Sequence, residues 1–239
     1  MILKENAVLI ADVHYDIKYR RDDFENLVLK LEKNPPPQLI LLGDIFDLLF
    51  GGVKYTENQN SEMIKKIDNL GKKTEIIYFE GNHDFNLKNL FSNIQIIQIS
   101  KQPIKMRFRD LNILISHGDY SVQGFFHFYR RSIEKSTILN SLNFLDSKIG
   151  NRIIRKLEAN QRKKRKCYKI EKFKDIIKTK LEDVDSNLFI DGHYHQGSRF
   201  TINNIGYINL FSFACNQTCF IVKSKHNSIF FENIRLKDF

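Results

Sequence analysis

Short apolar runs alternate with stretches of helical periodicity in the first third of the chain. The run 7–11 predicts a strand, and the stretch after it repeats apolar residues at i, i+3, i+4 and i+7, which predicts an amphipathic helix. These helical positions are Phe24, Leu27, Val28 and Leu31. A proline triplet at 35–37 ends the helix, and the apolar run 39–42, a helical stretch at 63–70 and a strand at 75–79 follow. This βαβαβ order, with strands apolar on both faces, predicts a largely parallel sheet covered by helices.

The rest of the chain combines further strands with one long helical region. Five apolar runs predict strands: 104–108, 111–116, 188–191, 205–210 and 220–222. Between residues 119 and 187 the period becomes helical. One apolar stripe comprises Ile138, Leu142, Leu145, Ile149, Ile153 and Leu157, and a second comprises Ile170, Phe173, Ile176, Ile177 and Leu181. We interpret residues 1–239 as one domain, with a helical insertion at about 120–185.

Composition and charge narrow the class of protein. The 239 residues are 42% hydrophobic and 12% aromatic, which excludes a disordered chain. No apolar run approaches the roughly 18 residues of a spanning helix, so we expect a soluble globular protein. The net charge of +10 resides in the window 148–174, which holds 12 basic and 2 acidic residues.

The basic run 162–166 within this window has three interpretations. It could be a solvated helix end, or it could attract an anionic membrane surface or a substrate diphosphate. It could also bind nucleic acid, but the aromatic side chains that would stack on bases are absent except for Tyr168. We therefore disfavour nucleic acid as a partner.

The cysteines and the first residues predict a compartment. Cys167, Cys215 and Cys219 give no even disulfide framework and no zinc-knuckle spacing, as a reducing cytoplasm permits. The start of the sequence lacks the basic head and apolar run of a signal peptide. We expect a cytoplasmic protein, and its charge is compatible with peripheral association at the inner face of the cytoplasmic membrane.

Residue types that bind metals cluster directly after predicted strands. Five segments share this placement: Asp12-Val13-His14, Gly43-Asp44, Gly81-Asn82-His83-Asp84, His117-Gly118-Asp119 and Gly192-His193-Tyr194-His195. They contain five of the seven histidines, and α/β sheets gather ligands at the carboxyl ends of strands. Carboxylate, imidazole and amide donors suit Mn, Fe or Zn. Two such ions roughly 3.5 to 4 Å apart activate water and clamp the oxygens of a phosphoryl displacement.

In this order the five segments resemble the D-x-H, GD, GNHD, H and GHxH motifs of the calcineurin-like binuclear metallophosphoesterases. The resemblance implies an α/β (α+β) fold, the four-layer α/β/β/α sandwich. It implies that one ion is held by Asp12, His14, Asp44 and His195. It implies that the second is held by Asp44, Asn82, His117 and His193. Asn82 and His83 would also contact the substrate, and His83 and Asp84 would form a catalytic pair near the leaving group, with His83 bonding the phosphate or protonating the departing oxygen.

Three features resemble a narrower group, the UDP-2,3-diacylglucosamine pyrophosphatases of lipid A synthesis. They are the sequence GDIFD at 43–47, the sequence HGD at 117–119, and a basic helical insertion after it. This resemblance implies hydrolysis of an anionic lipid-linked nucleotide sugar to UMP and 2,3-diacylglucosamine 1-phosphate, with Mn as the favoured metal and Fe or Zn as alternatives. His83 stands where that group typically has Arg.

Other functions stay open alongside the lipid pyrophosphatase. A phosphoesterase of the same superfamily could act on a nucleotide, a phosphoprotein or a nucleic acid. A remote alternative is a scaffold that has lost its metals and binds partners. The sequence does not predict an oligomeric state.

The insertion supplies further candidate substrate contacts. Its apolar stripe 138–157 is most simply the buried face of a cap helix, but with an aromatic cluster it could line a groove for acyl chains. The cluster comprises Phe125, Phe126, Phe128 and Tyr129. Arg130 and Arg131 follow it and could bind phosphate as bidentate donors, or form a surface pair. Asp47 and Asp119 could steady ligand histidines, or serve as turn residues.

Overall fold

The computed structural model describes residues 1–19, 21–119, 136–182, 184–225 and 228–239. Its strands in chain order are β1 (Val8–Ile10), β2 (Gln38–Leu42), β3 (Leu49–Phe50), β4 (Glu75–Phe79), β5 (Asp84–Phe85), β6 (Gln95–Ile97), β7 (Ile104–Phe108), β8 (Leu111–Ser116), β9 (Leu188–Asp191), β10 (Arg199–Ile202), β11 (Ile205–Asn209), β12 (Thr218–Lys225) and β13 (Ser228–Arg235). Its α-helices are α1 (Asp22–Lys33), α2 (Lys54–Leu70), α3 (Ser136–Lys148), α4 (Arg152–Lys163), α5 (Phe173–Lys180) and α6 (Phe213–Asn216).

Two large sheets contain most of these strands. The first has the order β13-β12-β1-β2-β4-β6, and β1, β2, β4 and β6 pair in parallel. The second has the order β10-β11-β9-β8-β7, with β8, β9 and β11 parallel. Strands β3 and β5 form a separate two-stranded sheet. The parallel βαβαβ arrangement that the apolar runs predict is therefore present.

The buried side chains separate into layers. Leu9, Ile40 and Ile77 of the first sheet pack against Ile113 and Ile190 of the second, which fills the space between the sheets. Helices α1 and α2 cover the other face of the first sheet, since Phe24, Leu27, Met63 and Ile67 join one core cluster with β1 and β2. Helix α5 covers the outer face of the second sheet through Phe173 and Ile177. This arrangement confirms the predicted α/β/β/α sandwich.

The first apolar stripe of the insertion lies on two helices and is largely exposed. A turn at Gly150 and Asn151, both with positive φ, separates α3 from α4. Leu139 and Ile154 are buried against the segment that follows β2, but Leu145 and Ile153 are each 61% exposed. The buried-face interpretation is thus wrong for much of the stripe, because periodicity shows that residues share a face and not that anything covers it. The side chains of Ile138 and Leu142 lie outside the described residues.

The cysteines differ from the expectation. Cys167 and Cys215, 48 residues apart, form a disulfide, whereas Cys219 is a buried free thiol. The odd number of cysteines did not predict this disulfide, which forms because α6 brings Cys215 next to the segment that carries Cys167. None of the helices in the described ranges has the length and apolar character needed to cross a bilayer.

Candidate metal centre

The five predicted motif segments meet at one edge of the sandwich. Asp12, Asp44 and Asn82 follow the parallel strands β1, β2 and β4 of the first sheet. His117 and His193 follow the parallel strands β8 and β9 of the second. Because parallel strands present their carboxyl ends on the same side, the sequence segments converge although they are far apart in the chain.

The side chains form three overlapping groups of potential ligands. In each group one atom per residue lies within 4.8 Å of the others: Asp12, His14 and His195; His14, Asp44 and His83; Asp44, His117 and His193. His195 Nε2 is 3.1 Å from Asp12 Oδ1, and His117 Nε2 is 3.5 Å from Asp44 Oδ1. Asp44 belongs to both the second and the third group, and the second shares His14 with the first, so this carboxylate is placed where it could bridge two ions.

Four imidazole rings are oriented in the same way. The Nδ1 atom of His117 donates to the Leu42 carbonyl at 2.9 Å, that of His83 to the Asp47 carbonyl at 2.8 Å, and that of His195 to the Lys166 carbonyl at 2.6 Å. His14 Nδ1 lies 3.2 Å from the Asp47 carboxylate. Each contact fixes the ring and leaves Nε2 for the centre, as hydrogen-bonded histidine ligands do in metal sites.

The turns that carry these residues are conformationally strained. Asp12, His14, Asp44, His193 and His195 all have left-handed φ values between 49° and 61°. Such values are uncommon for residues with side chains and cluster at functional sites. Gly43, with φ of 72°, adjoins them, and a Cβ there would lie 2.3 Å from His117 Nδ1. The close approach of the two sheets at this point therefore requires glycine.

Asp84 is a positioning residue in this geometry. Its Oδ1 accepts the backbone N–H groups of Asp44 and Gly81, and its Oδ2 accepts those of Ile45 and Phe46 and the Tyr78 hydroxyl. Burial, followed by the Asp44 charge, raises the pKa of Asp84 to about 8, whereas the five donors favour the ionised form. Both oxygens are occupied within the protein, so the predicted catalytic pair divides into an orienting Asp84 and a reactive candidate, His83.

Lys166 is a cation that the sequence did not single out. It lies in the basic run 162–166, but it is only 6% exposed, so the solvated interpretation is wrong for this member. Its Nζ is 2.6 Å from Asp47 Oδ1 and 3.2 Å from His14 Nδ1. Burial opposes ionisation of Asp47, but His14 and Lys166 lower the pKa of this carboxyl below its usual range. Asp47 thus links the basic run to the ligand cluster.

A second buried lysine connects the insertion to the ligand turn. Lys180 of α5 lies 2.7 Å from Asp191 Oδ2 and donates to the Gly118 carbonyl at 3.0 Å. Asp191 also accepts from the Tyr207 hydroxyl and precedes the glycine-histidine turn. The described part of the predicted insertion therefore packs onto the site from two sides. Arg130, Arg131, Phe125, Phe126, Phe128 and Tyr129 lie outside the described residues, so their predicted roles stay predictions.

The donor set fits two divalent cations. Within the described ranges, Asn82 Oδ1 and His117 Nε2 are buried polar atoms without a hydrogen-bond partner, and both belong to the predicted ligands. Leaving such atoms unpaired is costly, and an ion would satisfy them. Burial lowers the pKa of His14 to about 4 and also lowers that of His193, so both rings are neutral near pH 7, the form that binds metals. Burial also opposes protonation of His117 and His195, but the Asp44 and Asp12 carboxylates raise the pKa of these two rings, so an ion bound there would displace a proton.

Comparisons with known proteins agree with this architecture. No curated protein matches the chain. A dimetal phosphatase from Danio rerio is similar in structure, with 16% identity, coverage of 97% of this chain and 96% of that chain, and a TM-score of 0.52. An archaeal phosphodiesterase has 13% identity, coverage of 96% and 99%, and a TM-score of 0.50; at these identities the likeness shows the fold. The pattern of the calcineurin-like phosphoesterases matches residues 6–214, so the chain belongs to this family of metal-dependent hydrolases.

Proposed function

We propose that this chain hydrolyses the diphosphate of UDP-2,3-diacylglucosamine, releasing UMP and 2,3-diacylglucosamine 1-phosphate. One ion would be held by Asp12, His14, Asp44 and His195. The other would be held by Asp44, Asn82, His117 and His193. Bound divalent cations, with Mn favoured over Fe or Zn, would supply an activated water and neutralise charge on the phosphoryl group.

The observation that carries the lipid substrate is the exposed apolar face of the α3–α4 hairpin. Phe144, Leu145, Ile149 and Ile153 are between 50% and 61% exposed. Lysine and arginine side chains flank them, among them the exposed Lys148, Arg152 and Lys156. An apolar face ringed by cations suits acyl chains beneath anionic headgroups, since each buried methylene contributes about 0.8 kcal/mol and each nearby base about 1 kcal/mol.

A cleft lies where the end of α4 meets the segments that carry Asp16 and Asp47. It has a volume of about 520 Å³ and is lined by Asp16, Tyr19, Asp47, Ala159, Arg162 and Lys163. Arg162 is held by Asp16 at 2.7 Å and Glu158 at 2.7 Å, which fixes its position in the cleft lining. Lys163 also lines the cleft, and the buried Lys166 lies 2.6 Å from the Asp47 carboxylate that borders it, so positive charge lies beside the cleft. A substrate with a diphosphate between a nucleoside and an acylated sugar would have its charged centre at the ions and its acyl chains on the hairpin.

His83 is the residue we assign to the leaving group. Its Nδ1–H is engaged by the Asp47 carbonyl, and Nε2 lies 3.9 Å from Asp44 Oδ2. With Nδ1 protonated, Nε2 carries a hydrogen only in the imidazolium form. Proton donation to the departing oxygen therefore requires the doubly protonated ring, and His83→Asn should lower kcat more for UDP-2,3-diacylglucosamine than for bis(p-nitrophenyl) phosphate, whose leaving group needs less protonation.

The experiment is to incubate the protein with Mn and UDP-2,3-diacylglucosamine in mixed micelles and to measure UMP. The proposal predicts UMP release that Asp44→Ala abolishes. It also predicts that the double variant Leu145→Ser, Ile153→Ser slows this reaction but not hydrolysis of bis(p-nitrophenyl) phosphate, a substrate without acyl chains. A protein that hydrolyses the small diester and releases no UMP would refute the lipid substrate. Equal UMP release by the double variant would refute the role of the hairpin.

A further inference from the structure

The disulfide lies directly beside the candidate metal centre. Cys167 follows Lys166, whose carbonyl accepts the His195 Nδ1–H at 2.6 Å and whose ammonium lies 2.6 Å from Asp47. Lys166 thus orients two predicted ligands. Its carbonyl fixes the His195 ring, and its ammonium acts on His14 through Asp47. The segment 164–170 that contains these residues has no regular secondary structure.

The other half of the disulfide belongs to the turn that positions Asp12. Cys215 is in α6, where the Ala214 N–H donates to the Asp12 carbonyl at 3.1 Å and the Ser212 hydroxyl donates to the same carbonyl at 2.8 Å. The crosslink therefore joins two segments that orient Asp12, His14 and His195, the three members of one ligand group.

The disulfide is accessible to reductants. Cys167 is exposed and Cys215 is half-buried, at the rim of a surface pocket that also contains Arg235 and Lys237. Exposed disulfides are the ones that exchange readily with thiols, and pairs in reducing compartments are typically transient or redox-sensing. Among the described residues, the segment is also held by Gln196, which donates to the Tyr168 carbonyl and accepts from the Ile170 N–H, by the contacts of Lys166, and by packing of Ile170 against the core cluster of α5.

We propose that the Cys167–Cys215 pair is a redox switch for the metal centre. A dithiol supplies two electrons and two protons, the S–S bond breaks, each cysteine gains a proton, and the dithiol becomes a disulfide. The reduced segment 164–170 then leaves its fixed position, and the contacts of Lys166 with His195 and Asp47 weaken. Exchange with a disulfide reagent re-forms the S–S bond, and the two electrons and two protons pass to that reagent, which becomes a dithiol. The contacts of Lys166 are then restored, so the disulfide form is the one that binds metal well and hydrolyses substrate.

The test uses the full chain with its cysteines mapped by alkylation and mass spectrometry. Oxidised protein is compared with protein reduced by dithiothreitol and desalted without oxygen, with Cys167→Ser and with the matched control Cys219→Ser. Burial raises the pKa of the Cys219 thiol to about 12, so this cysteine should stay inert. The readouts are Mn affinity by calorimetry, hydrogen exchange of residues 164–170, and hydrolysis of bis(p-nitrophenyl) phosphate.

The switch predicts that reduction weakens Mn binding about tenfold, the range seen when contacts behind metal ligands are lost. Hydrogen exchange at 164–170 should rise on reduction and the rate of hydrolysis should fall, and reoxidation should reverse the changes in Mn affinity, exchange and hydrolysis. Cys167→Ser should resemble the reduced protein under both oxidising and reducing conditions. Unchanged Mn affinity and exchange after verified reduction would overturn the proposal, as would free thiols at both cysteines in air-oxidised protein. The redox switch depends on the proposed metal centre and not on the lipid substrate. A protein that releases no UMP would therefore refute the lipid substrate without refuting the switch.

Discussion

The contact between Lys166 and Asp47 provides a quantitative test of how the basic run reaches the metal centre. At a separation of 2.6 Å and an effective dielectric constant of about 20, the attraction of two unit charges is about 6 kcal/mol. Taking the ammonium out of water opposes this by several kcal/mol. Both side chains are at most 8% exposed, so solvent screens the pair little. Removing one partner leaves a buried charge, and we expect a loss of about 3 kcal/mol in the free energy of unfolding.

The change is Lys166→Met, which keeps most of the side-chain length and removes the charge. Asp47→Asn and the double variant complete a double-mutant cycle, measured by urea unfolding with a metal chelator present. We expect a coupling energy of at least about 1.5 kcal/mol, because the double variant no longer contains an unpaired buried charge. Lys164→Met is the matched control: Lys164 is exposed, and its substitution should change stability by less than about 0.5 kcal/mol. A coupling energy near zero, or equal effects of the two methionine variants, would refute the buried ion pair.

Three further predictions concern the ligand turns. Asp84→Asn should lower the free energy of unfolding of the Mn-bound protein by about 3 kcal/mol, because one oxygen that accepts at least two hydrogen bonds is lost. Tyr78→Phe, which removes one donor, should lower it by about 1 kcal/mol. An Asp84→Asn variant with reduced activity but unchanged free energy of unfolding would contradict the positioning role. In metal-free protein, the free energy of unfolding should fall as the pH decreases from 6.5 to 4, because His14 is protonated in the unfolded chain before it is protonated in the folded one. Urea unfolding should show that His14→Asn removes about 3 kcal/mol of this pH dependence. The same pH dependence in His14→Asn and in the wild type would contradict the prediction. Gly43→Ala should weaken Mn binding by more than tenfold in calorimetry, because its methyl group would meet the His117 ring, and wild-type affinity would show that this approach is not required.

Four strands could be predicted with their bounds: β4 and β9 because nearly all of their residues are buried, and β7 and β8 because apolar residues recur at alternate, buried positions. The runs at 75–79, 104–108, 111–116 and 188–191 have the same bounds in sequence and structure. A strand without either pattern could not be predicted in this way. β13 (Ser228–Arg235) carries Glu232 and Asn233 among apolar residues, and its pairing with β12 depends on a neighbour and not on its own pattern.

The convergence of the motif segments was predictable because each follows a strand directly. A residue two or three positions beyond a parallel strand has its place fixed by the topology, and this applies to Asp12, Asp44 and Asn82. The role of Lys166 could not be predicted, because its burial depends on Asp47, 119 residues earlier in the chain. The pairing of Cys167 with Cys215 could not be predicted for the same reason, because the two cysteines are 48 residues apart in the chain. Within the basic run, the density of charge in the sequence did not distinguish the buried Lys166 from its solvated neighbours.

The central claim is that the converging turns hold two metal ions with Asp44 between them. Anomalous diffraction from crystals of the protein soaked in Mn tests it directly. We expect two Mn peaks per chain, one among Asp12, His14 and His195 and the other among Asn82, His117 and His193, both in contact with Asp44, and loss of both in Asp44→Ala. A single peak, peaks elsewhere in the chain, or two peaks that persist in Asp44→Ala would contradict it.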